Sequence, residues 1–204
     1  MAWKFPASSS VDGTNVLLRD DYGVYVGTNV SISGTVSGIA TTPGDFGFDS
    51  MFEAYIDGSV AGNDAIVFGN SSSHDHGDRI TVSATGKLFA VSHAVRFIES
   101  DAELINEGQI VSKFVGVHLA GVGSRSTIEN SGKISASSYG VQTSGSQGVD
   151  LLNTGTVSGK TYSFYDVTLP ENSKWGDRIY NEGKMIGSVL LGAGNDFYDG
   201  RKGS

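Results

Sequence analysis

The stretch Thr127-Ile-Glu-Asn130-Ser-Gly132-Lys-Ile134 decides the fold, because its centre, Asn-x-Gly-x-apolar, recurs along the chain. It returns as Asn106-Glu-Gly108-Gln-Ile110, Asn153-Thr-Gly155-Thr-Val157 and Asn181-Glu-Gly183-Lys-Met185. Copies without the asparagine lie upstream: Ile32-Ser-Gly34-Thr-Val36, Ile56-Asp-Gly58-Ser-Val60 and Ala84-Thr-Gly86-Lys-Leu88. The seven motif glycines are 24, 28, 22, 24, 23 and 28 residues apart. A period of that size marks units that cannot bury an apolar face alone and must stack.

Short apolar stretches recur between the motifs, as in Ala94-Val-Arg-Phe97, Val115-Gly-Val-His-Leu119 and Tyr139-Gly-Val-Gln142. Alternating runs lead into the asparagines, as in Asp150-Leu-Leu-Asn153. Period-2 patterning between glycine, serine and asparagine turns reads as strands. Only 92–103 can be argued as a helix, and its valine and phenylalanine content favours a strand. The expectation is an all-β chain forming a single, right-handed parallel β-helix of about seven to eight coils, about 24 residues each. Ile110, Ile134, Val157 and Met185 should form one internal column. Asn106, Asn130, Asn153 and Asn181 should form an amide ladder, the alternative being isolated surface turns. The motif glycines should serve corners that need positive φ or close backbone approach. Residues 1–20 break the pattern and are expected to cap the N-terminal end through Trp3, Phe5, Val16 and Leu17, with coils over 21–187.

Composition narrows the function. The chain has 204 residues, 29 of them glycine, three prolines, no cysteine and a net charge of −8. No cysteine excludes disulfides, a thiol nucleophile and thiolate metal sites. The acidic balance argues against nucleic acid as a partner. No apolar run is long enough for membrane insertion. The N-terminus lacks the apolar run of a secretion signal, which suits a cytoplasmic protein, a signal-independent export route or a fragment.

Several residues carry candidate chemistry. His74 and His76, with Asp75 and Asp78, have the donor types for zinc or calcium, against the reading of a solvated serine-rich loop. Gly-Asp-Arg-Ile occurs at Asp78 and again at Asp177, where the aspartate either caps a turn or lines a calcium or sugar site. Tyr162, Tyr165 and Trp175 are candidate carbohydrate contacts, against a role in packing. The basic residues Arg96, Lys113, Arg125 and Lys133 are scattered and define no catalytic constellation. No phosphate loop or nucleophile elbow is present.

The C-terminal run Leu191-Gly192-Ala-Gly194-Asn-Asp196-Phe-Tyr198 is close to the nonapeptide G-G-x-G-x-D-x-U-x, with Leu191 in place of the first glycine. It resembles the repeat-in-toxin (haemolysin-type calcium-binding) proteins, and the asparagine–glycine repeats are similar to those of autotransporter passengers and large bacterial adhesins. The resemblance implies that 188–204 begin a calcium-binding turn, with Asn195, Asp196 and Asp199 as ligands, in a chain that continues in a longer parent. It also implies type I secretion to the cell exterior or surface. Gly44-Asp-Phe-Gly-Phe-Asp49 is similar to a motif of alginate epimerases, which would make Asp49 catalytic, but Ser50 and Met51 replace that motif's proline and histidine. The expected function is a non-enzymatic stalk or adhesive scaffold with a calcium-ordered end. Alternatives are a carbohydrate-active enzyme, a polysaccharide lyase or epimerase, and a self-assembly module. The expected partner is a polysaccharide or cell-surface ligand, or another copy of the chain.

Overall fold

Three short strands make one coil. In one central coil they are Glu103–Asn106, Gln109–Ser112 and Val115–Leu119; in the next they are Ser126–Asn130, Lys133–Ala136 and Tyr139–Thr143. Equivalent strands of successive coils pair in parallel, with Leu104 against Ile128, Ile110 against Ile134 and Val117 against Val141. The computed structural model describes residues 2–18, 22–41, 51–69, 77–98, 101–121, 124–145, 147–167 and 175–204, and no helix occurs among them. The chain is a parallel β-solenoid of about seven turns, each of about 24 residues. The first sheet holds nine strands. The second and third run into one another because Thr156–Asp166 is a single strand of 11 residues that serves both.

Alternation decides what each strand buries. The second sheet points Ile32, Val60, Leu88, Ile110, Ile134 and Val157 inward, each fully buried, with the partly buried Met185 packed against the same core. The expected column therefore exists and extends three coils upstream. Burying each such side chain is worth about 1.5–3 kcal/mol. Phe52, Phe68, Phe97 and Phe164 are the largest fully buried side chains, and the rings of Phe52, Phe68 and Phe97 pack in sequence.

The first sheet carries the asparagine ladder. Asn106 Nδ2 donates to Asn130 Oδ1, Asn130 Nδ2 to Asn153 Oδ1 and Asn153 Nδ2 to Asn181 Oδ1, each at 2.7 Å. All four asparagines are at most 2% exposed. Each of the first three backbone carbonyls also accepts two N–H groups from the next coil's turn; Asn106 O takes them from Ser131 and Gly132. The asparagines thus satisfy buried polar groups between coils and are not isolated surface turns.

The motif glycines act differently from half of the expectation. None of the seven has positive φ, and the asparagines are extended as well. Close approach is the whole reason. A Cβ on Gly132 would lie 2.3 Å from Gly108 O, and one on Gly155 would lie 2.1 Å from Gly132 O. The stacked turns are too near for any side chain.

Residues 2–18 continue the stack. Ala2–Lys4 pairs with Tyr22–Val26 and Thr14–Leu18 with Ser37–Thr41, both in parallel. Val16 is buried, Leu17 points outward, Trp3 is half-exposed and Phe5 is exposed. At the other end Phe197–Asp199 pairs with Arg178–Asn181, so the nonapeptide-like segment starts a further turn of the same helix.

Candidate functional site

The outer face of the third sheet gathers the chemistry. Downstream of Thr14–Leu18 and Ser37–Thr41, its strands include Asp64–Phe68, His93–Phe97, Val115–Leu119, Tyr139–Thr143 and the second half of Thr156–Asp166. Each buries two or three side chains and turns the others out. Register places His93, the fully buried Val115, Tyr139 and Tyr162 in one column and Val67, Arg96, His118, Gln142 and Tyr165 in the next, outward one. Each step is one inter-strand spacing, about 4.8 Å.

The upstream half is polar. Asp64 Oδ1 accepts the backbone N–H of His93 at 3.0 Å and lies 3.0 Å from His93 Nδ1, which is also 2.9 Å from Ser92 Oγ. The His93 and His118 rings stack, with centroids 5.1 Å apart and planes 21° apart. His118 Nε2 is 2.9 Å from Ser144 Oγ. Burial pushes Asp64 up, but the hydrogen bonds from His93 and the charges of His93 and Arg96 outweigh it and hold the carboxyl below its usual value. Burial, followed by the neighbouring charges of His93 and Arg96, pushes His118 down to about 4. His118 is therefore neutral at neutral pH and a weak base.

The downstream half is aromatic. Tyr139 and Tyr165 stack at 4.9 Å and 13°, Tyr162 and Tyr165 at 4.6 Å and 19°, and Phe114 meets Tyr139 edge-on at 5.7 Å. Tyr25, on the first sheet, donates its hydroxyl to Asp57 Oδ2 at 2.6 Å. The hydroxyls of Tyr139, Tyr162 and Tyr165 have no such partner among the described residues and face solvent.

Of the carbohydrate candidates, Tyr162 and Tyr165 come together, joined by Tyr139. Trp175, 43% exposed, makes no ring contact with them among the described residues. The two Gly-Asp-Arg-Ile copies occupy equivalent corners before the first sheet. Asp78 Oδ1 accepts the Phe52 N–H at 2.6 Å, and Asp177 Oδ1 accepts the Val149 N–H at 2.9 Å. Both aspartates are buried, while Arg79 turns outward to pair with Glu103 at 2.6 Å. This is the turn-capping role, carried across coils. Burial, and then the nearby carboxylates of Asp166 and Asp196, push Asp177 up to about 8.

Asp196 continues the same corner column: its Oδ1 accepts the Asp177 N–H at 2.8 Å. Asp199 uses both carboxylate oxygens on Arg201. Asn195 is exposed. A calcium ion, which takes six or more oxygens, finds the Asp199 oxygens already bonded. Among the described residues no three histidine, aspartate or glutamate side chains are grouped to hold a metal. Asp49, His74 and His76 lie outside the described residues.

Comparison with protein-family models, with curated proteins and with solved structures finds no match. The fold and the face therefore have to carry the functional argument. Sequence reading missed Asp64, His93, His118 and Ser144. A signal was present: Asp64 and His93 are 29 residues apart and His93 and His118 are 25 apart, both near one coil. That signal becomes specific only when the register shows which outward columns adjoin.

Proposed function

We propose that the chain is a non-enzymatic β-solenoid scaffold of a secreted or surface protein, and that the outer face of its third sheet binds a polysaccharide. The carrying observation is the stack of Tyr139, Tyr162 and Tyr165, whose hydroxyls are left to solvent, with Tyr165 in the same outward column as His118 and Arg96 upstream. A linear polymer lying along the rod meets one coil about every 4.8 Å. Ring edges and phenol hydroxyls offer it both apolar contact and hydrogen bonds. His118, neutral at neutral pH, offers an uncharged imidazole edge beside the tyrosines. Calcium would order the C-terminal end only by displacing Arg201 from Asp199.

The test is retention of the purified chain on a panel of immobilised polysaccharides, run beside Tyr165→Ala and Tyr139→Ala. Retention by at least one polymer, reduced about tenfold or more in both variants, supports the reading. Retention that both variants leave unchanged places the ligand elsewhere, and release of unsaturated or shortened sugar would replace scaffold with enzyme.

A further inference from the structure

We infer that Arg96 marks an oxyanion subsite upstream of the tyrosines on the third-sheet face, taking a carboxylate or sulfate group of an acidic polysaccharide. The inference rests on the polysaccharide reading for the polymer, but its own ground is separate. The chain carries 22 acidic against 14 basic residues, so cations are scarce and acceptors plentiful. Arg79, Arg125 and Arg201 each pair with a carboxylate, Glu103, Asp150 and Asp199. Arg96 is partly buried on the outer face and makes no hydrogen bond or ion pair with any described residue, and its Nε is fully buried without an acceptor.

The surroundings explain why that guanidinium stays unpaired. The nearest carboxylate with influence on it is Asp64, whose Oδ1 is held by the His93 backbone N–H and lies against the His93 ring. His118, the next residue in the Arg96 column, has its Nε2 against Ser144 and its Nδ1 buried without a partner. With Nε buried, the two terminal guanidinium nitrogens are the donors left to meet a ligand, beside the stacked pair His93 and His118 whose neighbouring charges include Arg96. A guanidinium presents a planar fork matched to two oxygens of a carboxylate or sulfate, and partial burial strengthens such a charge-assisted pair. Downstream in the same column stand Gln142 and Tyr165, so a sugar held by its acidic group at Arg96 would pass its next units over the tyrosines.

Calorimetric titration tests this with oligouronates, sulfated oligosaccharides, neutral oligosaccharides of equal length, and sodium sulfate or acetate alone. The expected result is acidic oligosaccharides bound about tenfold or more tightly than neutral ones. Arg96→Gln should abolish that preference while leaving the melting temperature near that of the parent. Arg96→Lys should keep part of it, because a point charge replaces the fork. Asp64→Asn removes the competing carboxylate and should strengthen the binding a few-fold, a gain that damage to the fold would not produce. Binding of sulfate or acetate alone with the same dependence on Arg96, and no binding of any oligosaccharide, keeps an oxyanion subsite at Arg96 but assigns it to a free anion, which overturns the polysaccharide as its source. Equal binding of acidic and neutral sugars, or acidic binding unchanged in Arg96→Gln, overturns the subsite and leaves the tyrosine platform standing. Absence of any binding overturns both.

Discussion

Val82 and Asn106 occupy the same interior place in successive coils, and between them the column changes from hydrocarbon to amide. Upstream it runs Val26, Ile56, Val82; downstream it runs Asn106, Asn130, Asn153, Asn181. The ladder points one way, so its upstream end leaves Asn106 Oδ1 without a donor and its downstream end leaves Asn181 Nδ2 without an acceptor. An apolar neighbour is thus compatible with the end of the ladder but not with its middle.

That asymmetry predicts unequal costs for the same substitution. Asn106→Val removes an oxygen that is already unpaired and leaves only Asn130 Oδ1 wanting, so it should cost about 1 kcal/mol. Asn130→Val strands Asn106 Nδ2 and Asn153 Oδ1 together, and should cost about 3 kcal/mol or more. Urea unfolding of both variants checks the order. Equal midpoints would mean that the ladder hydrogen bonds do not act as a chain.

Glycine substitutions should divide by backbone proximity and not by φ. Gly132→Ala places Cβ 2.3 Å from Gly108 O, so the coils must separate, at a cost of about 3 kcal/mol. Gly27→Ala meets only side-chain carbons at 3.6 and 3.8 Å and has no positive φ. It should be neutral, or stabilising by about 0.5 kcal/mol through the unfolded state. Thermal melts of the two variants give the comparison directly.

The contrast between Asn130 and His118 shows how much was legible in the sequence. Asn130 repeats at the period of the coil, so spacing alone aligned it with Asn106 and Asn153. Its burial follows because the alternation that turns Ile128 inward turns Asn130 inward too. His118 aligns by register with Arg96, yet it stacks on His93, which aligns with Val115. That contact is diagonal, between adjacent outward columns of successive coils. Periodicity identifies equivalent positions but not diagonal neighbours, which depend on register and side-chain direction. The glycines were read half correctly for a related reason: close approach holds and positive φ does not, and a turn that needs glycine looks the same in sequence whichever demands it.

Calcium and Arg201 should compete for Asp199. The Arg201 guanidinium holds that carboxyl down at about 2. Adding millimolar calcium after EDTA should therefore move the melting temperature of the parent by no more than about 1 °C, well under the ~2–4 °C that 1 kcal/mol gives a chain of this size. Arg201→Gln frees Asp199 and should acquire a calcium response. A shift of several degrees in the parent would show that the ion wins the carboxylate from Arg201.

Stability should fall between pH 6.5 and 8, and Asp177 should be the cause. Its carboxyl is raised from 3.8 to about 8, chiefly by burial, so the folded chain keeps a proton that the unfolded chain has lost. Its contribution is complete below pH 3.8 and disappears as pH rises through 8, at about 1.4 kcal/mol per pH unit. His118 has the opposite sign. Lowered from 6.5 to about 4, it makes the folded chain bind fewer protons, and its contribution grows as pH rises across that interval. The two slopes cancel between about pH 4 and 6.5, and above that only the loss from Asp177 remains, about 2 kcal/mol by pH 8. Asp177→Asn keeps an acceptor for the Val149 N–H without a charge to bury, so urea midpoints of this variant should be flat from pH 6.5 to 8 while those of the parent fall. His118→Gln should make the decline begin near pH 4. Parallel pH profiles for the parent and Asp177→Asn would mean that Asp177 is ionised in the folded chain, with its charge compensated at that corner.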